Sequence, residues 1–395
     1  MNNQAFNKPS ESDLIPLCVP EIVGREWQYI KECLDTNWVS SVGAFVDKFE
    51  IGLASYIGVK RSVATTSGTA ALHIALLVAG VQPDEEVLVS TLTFIAPANA
   101  IRYVGAWPLF VDADPVYWQM DISKLYDFVK NDCDWESGSL HNKHTGRRIT
   151  AIMPVDILGH SCDIEPIVEL ARQYNLVVIE DATESLGSQY YGHMVGQLAD
   201  IACFSFNGNK TITTGGGGML VTNNDEWANR ARYLTTQAKD NAIEYIHNEI
   251  GYNYRLTNLQ AAMGCAQLES LDDYVMKKRS LALVYSDALN KVDGIKPMVV
   301  ADWCTSSYWL YTVLVDPNEY GITSRGLMSL LTQYNIQTRP LWQPNHLSPA
   351  HAQSYYLGGP VSENLFNNAL SLPSSVGLTK EQQNRVIECV VSSQI

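Results

Sequence analysis

Apolar residues recur at helical spacing from Glu21 to Leu34, where Ile22, Trp27, Ile30, Cys33 and Leu34 fall on related faces. Asn37 to Gly43 reads as a loop, and Phe45 to Tyr56 as a second helix. From about residue 60 the period changes. Arg61 to Thr65, Glu86 to Ser90 and Pro108 to Asp112 read as short apolar strands, separated by helical stretches at Ala70 to Ala79 and Ala96 to Tyr103. Thr150 to Pro154, Leu176 to Glu180 and Ile201 to Ser205 continue the strand series. Buried strands alternating with helices predict an α/β fold whose mostly parallel sheet is covered on both faces. The stretch from Asn131 to Arg148 is polar and is expected to be a solvated surface insertion. Helical spacing then runs from Thr257 to Leu289 through Leu259, Met263, Leu268, Leu271 and Val275, which predicts one long helix joining two domains. The expected division is a tail over 1–14, a large domain with an N-terminal helical arm over 15–265, and a smaller C-terminal α/β domain over 266–395.

Composition narrows the class. With 395 residues, 46% hydrophobic and 17% charged, the chain can bury large cores and is not disordered. A formal charge of -15 argues against nucleic acid as a partner, because phosphate backbones need a basic face. The eight cysteines are scattered without a C-x-x-C pair, so free thiols in a reducing cytoplasm are expected rather than disulfides. The eight histidines are equally dispersed, and no metal site is expected. The first ten residues are polar and lack a signal-peptide core, and the longest apolar run, Ala70 to Val81, is too short to span a bilayer. A cytoplasmic protein without a membrane partner is the expectation.

Candidate chemistry gathers at predicted strand ends. Lys210 follows the strand ending at Ser205 and precedes Gly215–Gly218, so its amine would be rigidly held beside bare backbone. Such a setting suits a lysine that holds pyridoxal 5'-phosphate (PLP) covalently. Ser67, Gly68 and Thr69 follow a strand and open a helix, where free amides and hydroxyls suit a phosphate monoester. Phe94, after the next strand, could lie against an aromatic ring. Asp181 ends a buried strand, where a carboxylate can pair with a pyridinium nitrogen, and Glu184 lies one helical turn on. Ser205 offers a further hydroxyl to the phosphate. Taken singly, each of these has an ordinary structural role to compete with. Their joint occurrence points to PLP, with Lys210 and Asp181 as the catalytic pair. Anionic substrate groups would need local cations, and Arg255 and Arg339 are candidates because a guanidinium binds carboxylate or phosphate in a planar fork, with a structural ion pair as the competing role. His346 is a further candidate for substrate binding.

The chain resembles the sugar aminotransferases of the DegT/DnrJ/EryC1/StrS group from about Ile15 to its C-terminus. The resemblance is strongest in Ser67–Leu72, Glu180–Gly187, Phe204–Thr214 and Gly251–Ala262. It implies the PLP-dependent fold type I (aspartate aminotransferase-like) architecture and a homodimer with shared active sites, in which Asn253 reaches the phosphate of the neighbouring subunit's cofactor. Trp38–Gly43 and Thr338–Trp342 look like the C4 aminotransferases of bacillosamine and legionaminic-acid synthesis. That likeness implies a nucleotide-linked 4-keto-6-deoxy sugar, such as a UDP-2-acetamido-4-keto hexose, as substrate and L-glutamate as amino donor. A C3-selective enzyme on the same scaffold and a PLP-binding regulator without turnover are the alternatives. Relatives that act as dehydratases carry histidine in place of the lysine, whereas Lys210 is present here. Two departures are visible: Asp156 stands where many relatives have histidine, and Gly215–Gly218 is all glycine where many have Gly-Glu-Gly-Gly.

Overall fold

The computed structural model describes residues 13–241 and 243–394, so residues 1–12 of the expected tail lie outside the described residues. Seven strands form the body of the large sheet: β1 (Arg61–Thr65), β2 (Glu86–Ser90), β3 (Trp107–Val111), β4 (Arg148–Met153), β5 (Val177–Asp181), β6 (Ile201–Ser205) and β7 (Gly218–Thr222). Their spatial order is β1-β7-β6-β5-β4-β2-β3, and a short strand Tyr356–Leu357 from the C-terminal region pairs beyond β3. From β6 to β3 every pairing is parallel, while β7 runs antiparallel to both β1 and β6. The expected mostly parallel sheet is therefore present. Its strands read as continuous apolar runs because both faces are covered.

Two cores sandwich this part of the sheet. On one face α3 (Gly68–Val78) is buried on nearly every side, which explains its lack of a polar stripe. On the other face lie the arm helices α1 (Glu26–Asp35) and α2 (Ala44–Ile57), packed with α4 (Asn258–Glu269) around Phe49, Leu53, Phe204 and Phe206.

Three sequence expectations change. The first helix begins at Glu26 rather than Glu21, the chain bending at Gly24 and Arg25 just before it, where glycine is a poor helix former. It buries Glu26, Tyr29 and Cys33, leaving Trp27 at 73% and Leu34 at 52% exposure. The expected long helix is two, α4 and α5 (Leu271–Leu289), broken where Ser270 takes φ -107° and ψ 1°. The polar stretch after residue 131 is a β-hairpin, Cys133–Glu136 with Ser139–Asn142, that extends the sheet at β4. Ser137 and Gly138 supply its two left-handed turn residues, and the buried Asn142 donates to Glu86 at 2.8 Å.

The small domain has its own core around Ile15, Tyr285, Tyr320 and Leu331, under an antiparallel sheet of Ile295–Pro297, Tyr311–Val315 and Ala369–Leu372. α5 belongs to both cores: Leu271, Tyr274 and Val275 face the large one, and Leu281, Ala282, Tyr285 and Leu289 the small one. No helix among the described residues is long and apolar enough to cross a membrane.

The start of β7 admits no side chain. A Cβ on Gly218 would lie 2.3 Å from the Ser67 carbonyl oxygen and 2.6 Å from the Gly68 nitrogen. Gly218→Ala is expected to force the start of α3 off the sheet, costing about 1–3 kcal/mol of stability. A thermal melt checks this, and an unchanged melting temperature would refute the contact.

Candidate active site

The parallel strands and β1 all point their carboxyl ends to one edge, the usual place for ligands on an open α/β sheet. β6 ends there at Ser205, and β7 begins there at Gly218. The connection between them, 206–217, must therefore sit on that edge. It is a tight structure of its own: Phe206 N donates to Gly217 O at 2.9 Å, Thr214 N to Phe206 O at 3.0 Å, and Lys210 N to Asn207 O at 3.0 Å. Gly215, at φ +78°, supplies the left-handed residue of the return turn. Lys210 is carried on this loop.

One cavity of about 330 Å³ collects the predicted cofactor residues Ser67, Gly68, Thr69, Phe94, Asp181, Glu184, Ser205 and Lys210. Ser67 caps α3, its Oγ accepting from Ala70 N at 3.1 Å, and the first-turn amides of Gly68 and Thr69 have no carbonyl within the helix to bond. Gly68 lies so close to Ser205 that a Cβ on it would be 2.9 Å from Ser205 Cβ. A helix start and a strand-end hydroxyl thus form one small polar cradle. Phe94 is 57% exposed at the cavity wall.

Another part of the cavity wall is acidic. Asp181 Oδ1 accepts the Thr183 amide at 3.1 Å, and Glu184 Oε2 accepts the Leu158 amide at 3.0 Å. Glu184 Oε1 lies 3.4 Å from Lys210 Nζ. Burial pushes the carboxyl groups of Asp181 and Glu184 above their ordinary range, and the Lys210 charge opposes the shift in both. Behind them, burial raises both Asp156 and Glu180, and the Asp156 charge raises Glu180 further. Asp156 is held by Cys162 N at 2.7 Å and Ser185 Oγ at 2.9 Å, and Glu180 by Gly196 N at 2.8 Å. A half-buried amine, a buried carboxylate short of cations and a helix-start cradle are the donor set that PLP requires. The residues present fit it.

The substrate candidates fall outside this wall. Arg255 does not line the cavity: it forms a buried ion pair with Glu50 of α2, whose carboxylate also accepts from Arg232 at 2.7 Å and from Ala64 N at 2.7 Å. Its competing structural role is the one the geometry shows. Arg339 is exposed, three residues before the cavity-lining Trp342, and donates to its neighbour's carbonyl, Thr338 O, at 2.9 Å. His346 stacks on Tyr356 with ring centroids 3.7 Å apart and bonds Thr91 Oγ1 at 2.8 Å. Burial lowers its pKa, against the pull of Glu363 and Asp112. Asn253 is exposed, on a segment bridged to Thr236. Sequence reasoning missed Trp309 and Trp342, whose parallel indoles line the cavity, and Asn207 and Asn209 beside the lysine. Trp342 closes the Arg-Pro-Leu-Trp motif, a signal at hand, whereas nothing local marks Trp309.

A fold type I aminotransferase frame, with a lysine-centred cavity at its sheet edge, is the class these features define. The chain belongs to the DegT/DnrJ/EryC1/StrS aminotransferase family, whose sequence profile matches residues 20–391. It is 40% identical over 376 residues to GDP-perosamine synthase of Escherichia coli O157:H7, covering 95% of this chain and 97% of that protein. It is 39% identical over 380 residues to GDP-perosamine synthase of Caulobacter vibrioides, covering 95% and 98%. Among solved structures, S. venezuelae DesV in complex with a ketimine intermediate superposes with a TM-score of 0.83 at 29% identity, covering 93% and 94%.

The raised carboxyl pair has a consequence for stability. A proton kept by Asp156 and Glu180 in the fold, and lost in the unfolded chain, makes stability fall as pH rises above the ordinary carboxylate range. Asp156→Asn should flatten that slope, read as melting temperature against pH from about 4 to 7. An identical slope in the variant would contradict the shared proton.

Proposed function

We propose that the protein is a PLP-dependent aminotransferase that takes an amino group from L-glutamate and places it at C4 of a nucleotide-linked 4-keto-6-deoxy sugar for surface-glycan synthesis. The observation that carries the reading is the single cavity shared by Lys210, Asp181 and the Ser67–Thr69 helix start with Ser205. PLP, when bound, supplies an electron-accepting ring that lets a carbon next to nitrogen give up its proton. Lys210 is the attachment point and, with its amine free, the base and acid that moves the proton at the donor's α-carbon and at sugar C4. Glu184, 3.4 Å away, orients that amine. Asp181 holds the proton of the ring nitrogen, and ionising in a buried site gives it the charge that a cationic ring relieves. Phe94 bounds the ring plane, and Trp309 and Trp342 limit water. Arg339, exposed near Trp342, is the candidate for the donor carboxylate or the diphosphate, with His346 shaping the adjoining wall.

The UDP-2-acetamido sugar implied by the C4 likeness remains the first substrate to test. The two GDP-perosamine synthases at 39% and 40% identity make a GDP-linked 4-keto-6-deoxy hexose the second. A homodimer with shared sites belongs to the same proposal. Trp27, Val42 and Ile51 of the N-terminal arm are 73%, 65% and 71% exposed, an apolar surface that a second copy would cover. Asn253 then reaches the partner's cofactor phosphate.

The purified protein should show an absorption band near about 420 nm that moves to about 330 nm with L-glutamate. Lys210→Ala should lose the band and about 10²–10⁴-fold in rate, and Asp181→Asn about 100-fold with the fold intact. A band indifferent to glutamate would sink the donor assignment, and no band after adding PLP would sink the whole reading. Shared sites predict complementation: Lys210→Ala and Asn253→Ala subunits, each poor alone, should regain activity when mixed and refolded, because one site per hybrid is intact. No gain on mixing, with hybrids formed, would rule out a role for Asn253 across the interface.

A further inference from the structure

Lys210 has a neighbour besides Glu184. The ring centre of Trp309 lies 4.0 Å from its Nζ, and Trp309 Nε1 donates to the carbonyl of Asn209 at 2.6 Å. The indole is therefore tied to the residue immediately before the lysine whose charge it faces. The opposite end of Trp309 is anchored from α5. Its backbone carbonyl accepts from Lys278 Nζ at 3.1 Å, and the same ammonium donates to Ser374 O at 2.7 Å. Arg279, the next residue, donates to Ser306 O at 2.8 Å, Thr305 O at 3.3 Å and Gly187 O at 3.2 Å. Two adjacent cations thus hold the segment Thr305–Trp309 by its carbonyls.

Lys278 is 2% exposed, and both of its acceptors are neutral backbone groups. Burying an ammonium this way is costly, and packing between two cores would be met as well by methionine. What methionine cannot do is fix the Trp309 carbonyl. We propose that the Trp309 ring is the platform on which the Lys210 ammonium rests whenever that amine is free, and that Lys278 is the positioning residue that keeps the platform over it. The charged groups facing Lys210 are Glu184 and Asp181, and the group acting on Lys278 is the Cys18 thiol, which itself bonds Asn209 O at 3.2 Å. The ring adds its negative face to this set and favours the protonated amine without adding a formal charge. The role presumes Lys210 to be the cofactor lysine, but the amine itself can be read without substrate or turnover.

The test is trace acetylation of the full chain, freed of cofactor, with acetic anhydride across a pH series, quantified at Lys210 by mass spectrometry. Trp309→Leu keeps the site apolar but removes the ring, and should lower the pH midpoint of Lys210 labelling by about one unit. Trp309→Phe should keep most of the wild-type value. Lys278→Met should shift the midpoint in the same direction as Trp309→Leu, and Lys278→Arg should restore it. A Lys278→Met chain with reduced melting temperature but a wild-type midpoint would make Lys278 purely structural and overturn the positioning role. Equal midpoints in wild type, Trp309→Leu and Trp309→Phe would overturn the platform, a comparison that stands even if Lys278→Met fails to fold. No turnover by the wild-type holoenzyme, with the expected midpoint shifts present, would strike the aminotransferase reading instead.

Discussion

Because β7 runs antiparallel between β1 and β6, its first residue meets the last residues of both, Thr65 and Ser205. A parallel strand in that place would need a crossover of a dozen or more residues, usually a helix, that carried the chain to the far edge of the sheet. The antiparallel pairing lets the chain turn back at once, so Lys210 stays at the edge where Ser67 and Asp181 emerge. Gly218 makes the arrangement possible, since its missing side chain lets the start of α3 pack directly on the turn. The site is thus assembled by strand direction before any side chain is chosen.

The electrostatics of that edge are lopsided. Asp156, Glu180, Asp181 and Glu184 are all buried, and Lys210 is the cation that acts on the two nearest the cavity. Backbone amides of Cys162, Gly196, Thr183 and Leu158 each take one carboxylate oxygen, which lowers the cost without cancelling it. A site with this surplus favours a ligand that brings positive charge on one side and phosphate to the helix start on the other. The Glu50 cluster shows the contrasting solution: Arg232 and Arg255 neutralise a buried carboxylate fully, and that region is scaffold.

Much of this was legible in the sequence, for identifiable reasons. The sheet could be read because its strands are buried on both faces and therefore uniformly apolar. The cavity wall could be read because strand ends are where an open sheet places ligands, so Ser67, Phe94, Asp181 and Ser205, which line it, were marked by position as much as by type. The sequence left the two roles of Arg255 undivided because its partner, Glu50, is distant in sequence, and only the fold brings α2 beside it. Trp309 went unnoticed for a similar reason: it belongs to the small domain's sheet region and meets Lys210 across the domain junction. The hairpin after Cys133 looked like a polar insertion because one side of it faces solvent, which hides the strand signal of Leu140 and Asn142.

α5 passes without interruption from one hydrophobic core into the other. A rod embedded at both ends does not act as a hinge, since bending it would open packing in both domains at once. Phe94 and Trp342 line the cavity beside this fixed frame. A helix clamped in this way ties the two lobes into one stiff chassis and disfavours the swing of one against the other.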